Sequence, residues 1–407
     1  MRSNFIHRSA LLLLACAVPV LLGGSRAGAD SLSLAEARRR AREGNFDLLA
    51  ARSDVDQAAA QQIVAREIQN PSLSLSSDST VAVSQLVELR SHRTLRRAAS
   101  DHGAEAARER FADARRTLDA AVVKSYAAAA LAEENARLLS EAAASLRQSA
   151  AIARERLSAG DISTAEERQI EVEADRFDAD AKAAEAAART ARITVDVLLG
   201  TPRPAGDWQV ADSLSALAQA AEGIAAARAL PRPDLLAAEA SLKRADADLA
   251  LQKALRVPAP TVQLQYQRDP QPPSPAATIG LGVELPLWNR RGGEVAAAEV
   301  TRDHAARERA RVAAQVAADQ ATAAASFANA HERWQSYRST ILPKAEEVRT
   351  SVVYAYQNGG APLLALLEAE RSASQVRLAV AQAAADTITA GADLASARNV
   401  PFLETKP

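Results

Sequence analysis

The side chains best suited to metal or nucleophilic chemistry are five histidines and one cysteine in a chain of 407 residues. His7 lies in the N-terminal leader, and His92, His102, His304 and His331 are too far apart in sequence to put two imidazoles on one helix face. Solvated helix positions are the plain reading of all four. Cys16 offers two readings. Leu13-Leu14-Ala15-Cys16 has the form of a bacterial lipobox that would acylate the thiol, whereas the apolar run continuing through Val18, Val20, Leu21 and Leu22 makes Cys16 one more small residue of a secretory leader. No catalytic constellation, metal set, cofactor-binding motif or nucleotide-binding glycine loop is present in the sequence, so an enzyme is not expected.

The leader itself is informative. Arg2 and Arg8 precede an apolar run from Ala10 to Leu22 and then Ala27-Gly28-Ala29, which predicts a signal peptide over 1–29 and an exported mature chain from Asp30. No later stretch reaches the ~20 apolar residues of a membrane helix. Export then leaves a soluble chain or one that enters a membrane as a closed β-barrel. With 49 Lys and Arg against 50 Asp and Glu, and no basic block, nucleic acid is not an expected partner.

The elements that must position any function occur twice. Asp47-Leu48-Leu49-Ala50-Ala51 returns as Asp234-Leu235-Leu236-Ala237-Ala238, Pro71 returns as Pro258, and the break at Gly160 returns at Gly359. A period of about 190 residues is far beyond a solenoid unit of ~20–50 and reads as duplication of a large module. The first repeat is expected over 30–204, a connector containing Trp208 over 205–230, the second repeat over 231–398 and a tail over 399–407.

Within each repeat the composition is rich in Ala, Arg, Glu, Leu and Gln, the residues that cost least in a helix. Between Thr94 and Ser158 there is no proline, and Phe111, Leu118 and Val122, then Leu131, Leu138 and Ala142, recur within each set at steps of seven and four. That predicts a helix of about 65 residues, about 100 Å long, with a narrow apolar seam. The second copy runs from Glu294 to Gln357, with Pro343 as a kink or break. Glycine turns near 157–162 and 356–362 send each long helix into a return, so the mainly helical chain contains two long antiparallel hairpins. Two regions alternate with period two instead, about 72–89 and about 261–287, the second with a Pro-rich loop from Arg268 to Pro275. An isolated two-stranded hairpin is marginal in water, and closing several copies into one barrel removes that difficulty.

Over essentially the whole mature length this order resembles the TolC-type outer-membrane efflux family. Asn70-Pro71, the Leu285-Pro286-Leu287-Trp288-Asn289-Arg290-Arg291-Gly292-Gly293 run and the turns at Gly160 and Gly359 carry the likeness, and the Leu-Pro-Leu-aromatic-Asn-Arg stretch is similar to the heavy-metal-efflux, CzcC-like branch. The resemblance implies a homotrimer in the outer membrane of a Gram-negative bacterium, four strands per protomer in a 12-stranded barrel, and helices forming a periplasmic α-barrel. It implies a passive conduit coupled through a periplasmic membrane-fusion adaptor to an inner-membrane pump of the resistance-nodulation-division type, with heavy-metal cations as cargo. Drug efflux and type I secretion stay open as alternatives, as does a periplasmic coiled-coil adaptor without membrane insertion.

The resemblance also implies sites. Members carry gate aspartates six and nine residues after each turn glycine; here those positions hold Glu166, Gln169, Ala365 and Glu368. Glu368 and Glu166 are the gate candidates, since a carboxylate repeated by threefold symmetry favours cations. Leu157, Gly160, Asp161, Tyr356, Gly359 and Gly360 are the expected adaptor-docking tips, and Tyr266 and Trp288 the aromatics expected at the outer-membrane lipid interface.

Overall fold

The computed structural model describes residues 30–77, 80–270 and 273–402. The leader over 1–29 with Cys16, and the end of the tail beyond Phe402, lie outside the described residues.

Strand β1 (Asp30–Leu32) leads into helices α1 (Leu34–Gly44) and α2 (Phe46–Arg66), then β2 (Ser72–Leu75), β3 (Thr80–Leu86), α3 (Arg90–Ser158) and α4 (Thr164–Leu198). The same order follows again as β4 (Trp208–Val210), α5 (Leu214–Ala226), α6 (Pro233–Ala254), β5 (Pro260–Pro270), β6 (Pro273–Val283), α7 (Gly292–Ser336), a π turn (Tyr337–Ile341), α8 (Leu342–Gln357) and α9 (Leu363–Arg398). Helix α3, at 69 residues, is about 100 Å long. The π turn immediately precedes Pro343, whose ring crowds the carbonyl one turn back and which has no N–H to donate. Widening the helix there lets it continue without a break.

Both tips close in the same way. Gly160 and Gly359 adopt φ of 81° and 73°, and the residue after each donates back to the helix, Asp161 N–H to the Arg156 carbonyl at 2.9 Å and Gly360 N–H to the Ala355 carbonyl at 2.7 Å. Such a left-handed C-terminal turn is nearly free only for glycine. Gly200 ends α4 with φ 73°, pressed against the end of α1: a Cβ on Gly44 would sit 2.7 Å from the Leu199 carbonyl oxygen, and one on Gly200 would fall inside contact distance of the Gly44 carbonyl.

Two apolar cores result. One lies midway along the helices, where Tyr126, Val122, Trp334, Ile388 and Leu394 are buried with the α1 and α5 faces; the other lies at the tip, built from Leu146, Ile170, Phe177, Tyr356, Leu366 and Leu367. The segment expected as a low-order connector is ordered. β4 pairs in parallel with β1, and α5 packs Leu217, Ala218, Ala221 and Ile224 into the central core. What fixes it is a polar network distant in sequence. Tyr126 donates to the Leu32 carbonyl at 2.7 Å and to Asp212 at 2.9 Å, while the buried Asp196 carboxylate accepts from the amides of Ala205 and Gly206 and from the Trp208 indole. Burial and Asp212 together push the Tyr126 phenol well above its ordinary range.

Candidate functional site

Four strands form one antiparallel sheet in the order β2-β3-β5-β6. Its register sorts residues by chemistry. On one face, Leu73, Val83, Leu264 and Ile279 stand side by side, flanked by the row Leu75, Val81, Tyr266 and Ala277 and by Val262 with Leu281. On the other, Ser72, Ser84, Gln263 and Gly280 align, next to Ser74, Ala82, Gln265 and Thr278. A sheet folded in water buries its apolar face on a core. Here the large apolar residues of that face are 37% to 78% exposed, while Thr80 and Ala82 on the polar side are buried. No core covers the aliphatic face, an exposure that lipid would suit, and the opposite face carries uncharged polar residues of which Ser72, Ser74, Gln263 and Thr278 are exposed too.

Tyr266 and Trp288 sit toward opposite edges of the apolar band. Tyr266 pairs with Ala277, β6 runs from there to Val283 over roughly 20 Å at ~3.4 Å per residue, and Trp288, 94% exposed, follows beyond. The Pro-rich run from Arg268 is mostly strand rather than loop: Arg268 opposes Pro275 and Pro270 opposes Pro273. Prolines can sit there because the β5–β6 pair runs past β3, whose pairing ends with Thr80 opposite Gln267, so their missing amide donors interrupt no ladder to a third strand.

At the far end, about 100 Å of helix away, the tips differ in chemistry. The first is charged; between Arg349 and Glu368 the second carries no charge at all. Gly160, Asp161, Gly359 and Gly360 are exposed and Leu157 is half-buried. Tyr356 departs from the expected docking surface. It is 2% exposed, packed in the tip core under the Arg156 guanidinium, 5.2 Å over its ring, and burial pushes its phenol above the ordinary range.

The two carboxylates singled out by sequence have different surroundings. Glu166 is the third residue of α4, and its carboxylate accepts from the Ser163 N–H at 2.9 Å while Ser163 Oγ accepts from the Glu166 N–H at 3.2 Å. That reciprocal cap occupies the side chain locally. Glu368 lies about one and a half turns inside α9, is exposed, and makes no hydrogen bond or ion pair within the described residues.

Sequence reasoning missed the ties that hold α9 in place. Arg371 forks onto the buried Glu173 of α4 at 2.7 and 2.6 Å, which holds that carboxyl below the usual carboxylate range. Glu370, also buried, accepts from Arg349 of α8 and Ser145 of α3, each at 2.9 Å. Partners so distant in sequence leave no local signal. The histidines are not all solvated as expected: His92 is buried with Nε2 2.9 Å from the Ala254 carbonyl, and His331 sits between Phe327 and Trp334. Among the described residues no His, Cys, Asp and Glu group could hold a metal ion, and no helix is long and apolar enough to cross a membrane.

This geometry has known counterparts. The family model for outer membrane efflux proteins matches residues 224–400. The cobalt-zinc-cadmium resistance protein CzcC of Cupriavidus metallidurans is 26% identical over 372 residues, covering 87% of this chain and 86% of that protein. Among solved structures, CusC, described in connection with transmembrane channel formation, superposes with a TM-score of 0.72 at 18% identity, covering 89% of this chain and 91% of its own. The outer membrane protein VceC of Vibrio cholerae gives 0.71 at 16% identity, covering 91% and 96%. The order of elements, the exposed apolar sheet face and these likenesses all agree with the outer membrane efflux protein family, whose model matches residues 224–400 of this chain.

Proposed function

We propose that this protein is the outer-membrane exit duct of a tripartite efflux system: a trimer whose protomers each give four strands to a 12-stranded barrel and their long helices to a periplasmic α-barrel. The observation that carries the reading is the exposed apolar face of the sheet, in register across all four strands. Lipid is the solvent that suits it. Both sheet edges, β2 and β6, lack a strand partner among the described residues, and a membrane tolerates no open edge. Joining β6 of one protomer to β2 of the next satisfies both edges, and a periplasmic adaptor without membrane insertion would have no use for such a sheet. The repeated element order reads as an internal duplication.

The duct is passive, energised through a membrane-fusion adaptor that meets the exposed tips at Gly160, Asp161, Gly359 and Gly360 and links it to an inner-membrane pump. Likeness to a cobalt-zinc-cadmium resistance protein supports heavy-metal cations as cargo. Of the two gate candidates, the exposed and unpaired Glu368 suits the lining of the periplasmic entrance, and Glu166 suits its cap.

Planar-bilayer recording tests this. The purified trimer gives discrete cation-preferring conductance steps blocked by divalent cations, and Glu368→Ala reduces block and selectivity several-fold, as removal of a threefold carboxylate ring should. A protein that gives no conductance contradicts the duct. Unchanged selectivity in the variant places Glu368 on an ordinary solvated surface.

A further inference from the structure

Where the strands give way to helices, a cleft of about 580 Å³ opens between the end of β3, the α6–β5 junction and the β6–α7 junction. Its two halves differ in character. Val257, Leu285, Leu287 and Trp288 are all well exposed and extend the apolar sheet face to its helix-side edge. Against them the cleft gathers Arg96, Arg256, Arg290 and Arg291, with Glu88 and Glu284 as its acids.

These guanidiniums are not alike. Arg96 is consumed by Glu88, at 2.5 and 2.9 Å, and by the carbonyls of Ala65 and Glu67. Arg256 and Arg290 are exposed and make no ion pair among the described residues; with Glu88 taken by Arg96, only Glu284 of the cleft's acids is left to offset them. Arg291 reaches Gln252 Oε1 at 3.0 Å, yet its Nε is buried with no acceptor. Arg291 is also held at φ 57° as the cap of α7, without a side-chain cap bond, which leaves the first-turn amides at Gly292 and Gly293 open to an acceptor.

We propose that this cleft binds the headgroup of an anionic phospholipid, with its acyl chains lying along Leu285, Leu287 and Trp288. The proposal rests on the outer-membrane reading above and goes beyond it by assigning a lipid class and residues. A soluble anion would use the arginines but has no need of the aliphatic and indole wall; a zwitterionic lipid would use the wall but leave Arg256 and Arg290 without an ion pair. An anionic lipid uses both, as basic pockets at a membrane edge do. Because the helices leave from this edge, the leaflet engaged is the periplasmic one.

Trp288 provides the readout, since Trp334 is buried and Trp208 is half-buried in the central core. The full-length trimer is reconstituted with acyl-brominated phosphatidylglycerol or acyl-brominated phosphatidylcholine, and quenching of tryptophan fluorescence reports lipid beside Trp288. At low salt phosphatidylglycerol is expected to compete for the site on the order of tenfold better than phosphatidylcholine, the gain of two unpaired arginines. R256Q/R290Q should bring the preference within about twofold while leaving quenching itself intact; neither side chain carries a bond the fold needs. Equal quenching by both lipids in the parent overturns the headgroup site and leaves membrane insertion standing, and this is the outcome if acidic side chains of a neighbouring protomer fill the cleft. A preference that survives in R256Q/R290Q overturns the assignment to these residues. No quenching by either lipid overturns the membrane reading and the site together.

Discussion

Leu264→Arg is expected to remove the protein from the outer membrane. Leu264 sits within the apolar band, between Val83 and Ile279, and is half exposed although no protein packs over it. An arginine near the middle of a bilayer costs about 2–4 kcal/mol on a barrel's lipid face. In the proposed trimer that cost is repeated three times, giving roughly 6–12 kcal/mol, comparable to the whole stability of a typical domain. Gln263→Arg, one residue away, places the same side chain on the polar face beside Ser84 and Gly280, which in the proposed barrel faces lumen water. The paired result is what matters. In membrane fractions, L264R should be lost to aggregate or degradation, L264F retained, and Q263R retained with conductance shifted toward anions. Equal retention of L264R and Q263R would mean that neither face meets lipid.

Gly200→Val carries the next largest effect, and it acts far from the membrane. At φ 73° any side chain is strained by about 1–3 kcal/mol, and here a Cβ would also overlap the Gly44 carbonyl where the ends of α1 and α4 meet. The two helix ends cannot both keep their places, and Asn45, which bonds the Leu198 carbonyl at 3.0 Å, moves with them. The variant should lose at least about 3 kcal/mol in denaturant unfolding, or fail to assemble. Gly160→Ala is the comparison that isolates the cause. Its φ of 81° is equally left-handed, yet nothing lies within 4 Å of the added carbon, so only the backbone penalty of about 1–2 kcal/mol applies. Comparable losses in the two variants would remove the role assigned to the meeting of the α1 and α4 ends.

Those two glycines also show what the sequence could disclose. The turns at Gly160 and Gly359 were legible because each ends a long helical pattern, proline-free before Gly160 and interrupted only by Pro343 before Gly359, and a chain that must reverse there needs a residue tolerant of positive φ. The close approach at Gly200 was legible only as a helix end, since its cause is a carbonyl far away in the chain. Pro343 announced a break; the structure resolves it as a π turn, because packing against α9 holds the axis. The amphipathic alternation of 261–266 was visible, but not whether its apolar side met a core; the structure shows that no core of this chain covers it. Helix α5 had a readable signal in Ser213 and the spacing of Leu214, Leu217, Ala218, Ala221 and Ile224, obscured by the glycines and prolines around it. Glu166 could have been read as a cap from Ser163 three residues earlier. The Glu173–Arg371 fork could not, because charge pairing across nearly half the chain leaves no pattern in either segment.

The central claim, that β5 is a membrane strand with one face to lipid and one to water, is tested most directly by site-directed spin labelling. Cys16 is the sole cysteine, and on the signal-peptide reading it is either removed with the leader or acylated, so single cysteines placed from 262 to 267 can be labelled cleanly. In outer-membrane vesicles, labels at Val262, Leu264 and Tyr266 should show high collision with oxygen and low collision with a water-soluble nickel chelate, and labels at Gln263, Gln265 and Gln267 the reverse, with a period of two. The same collision parameters at all six positions, or an apolar side shielded from both reagents, would contradict a lipid-facing sheet and with it the outer-membrane duct.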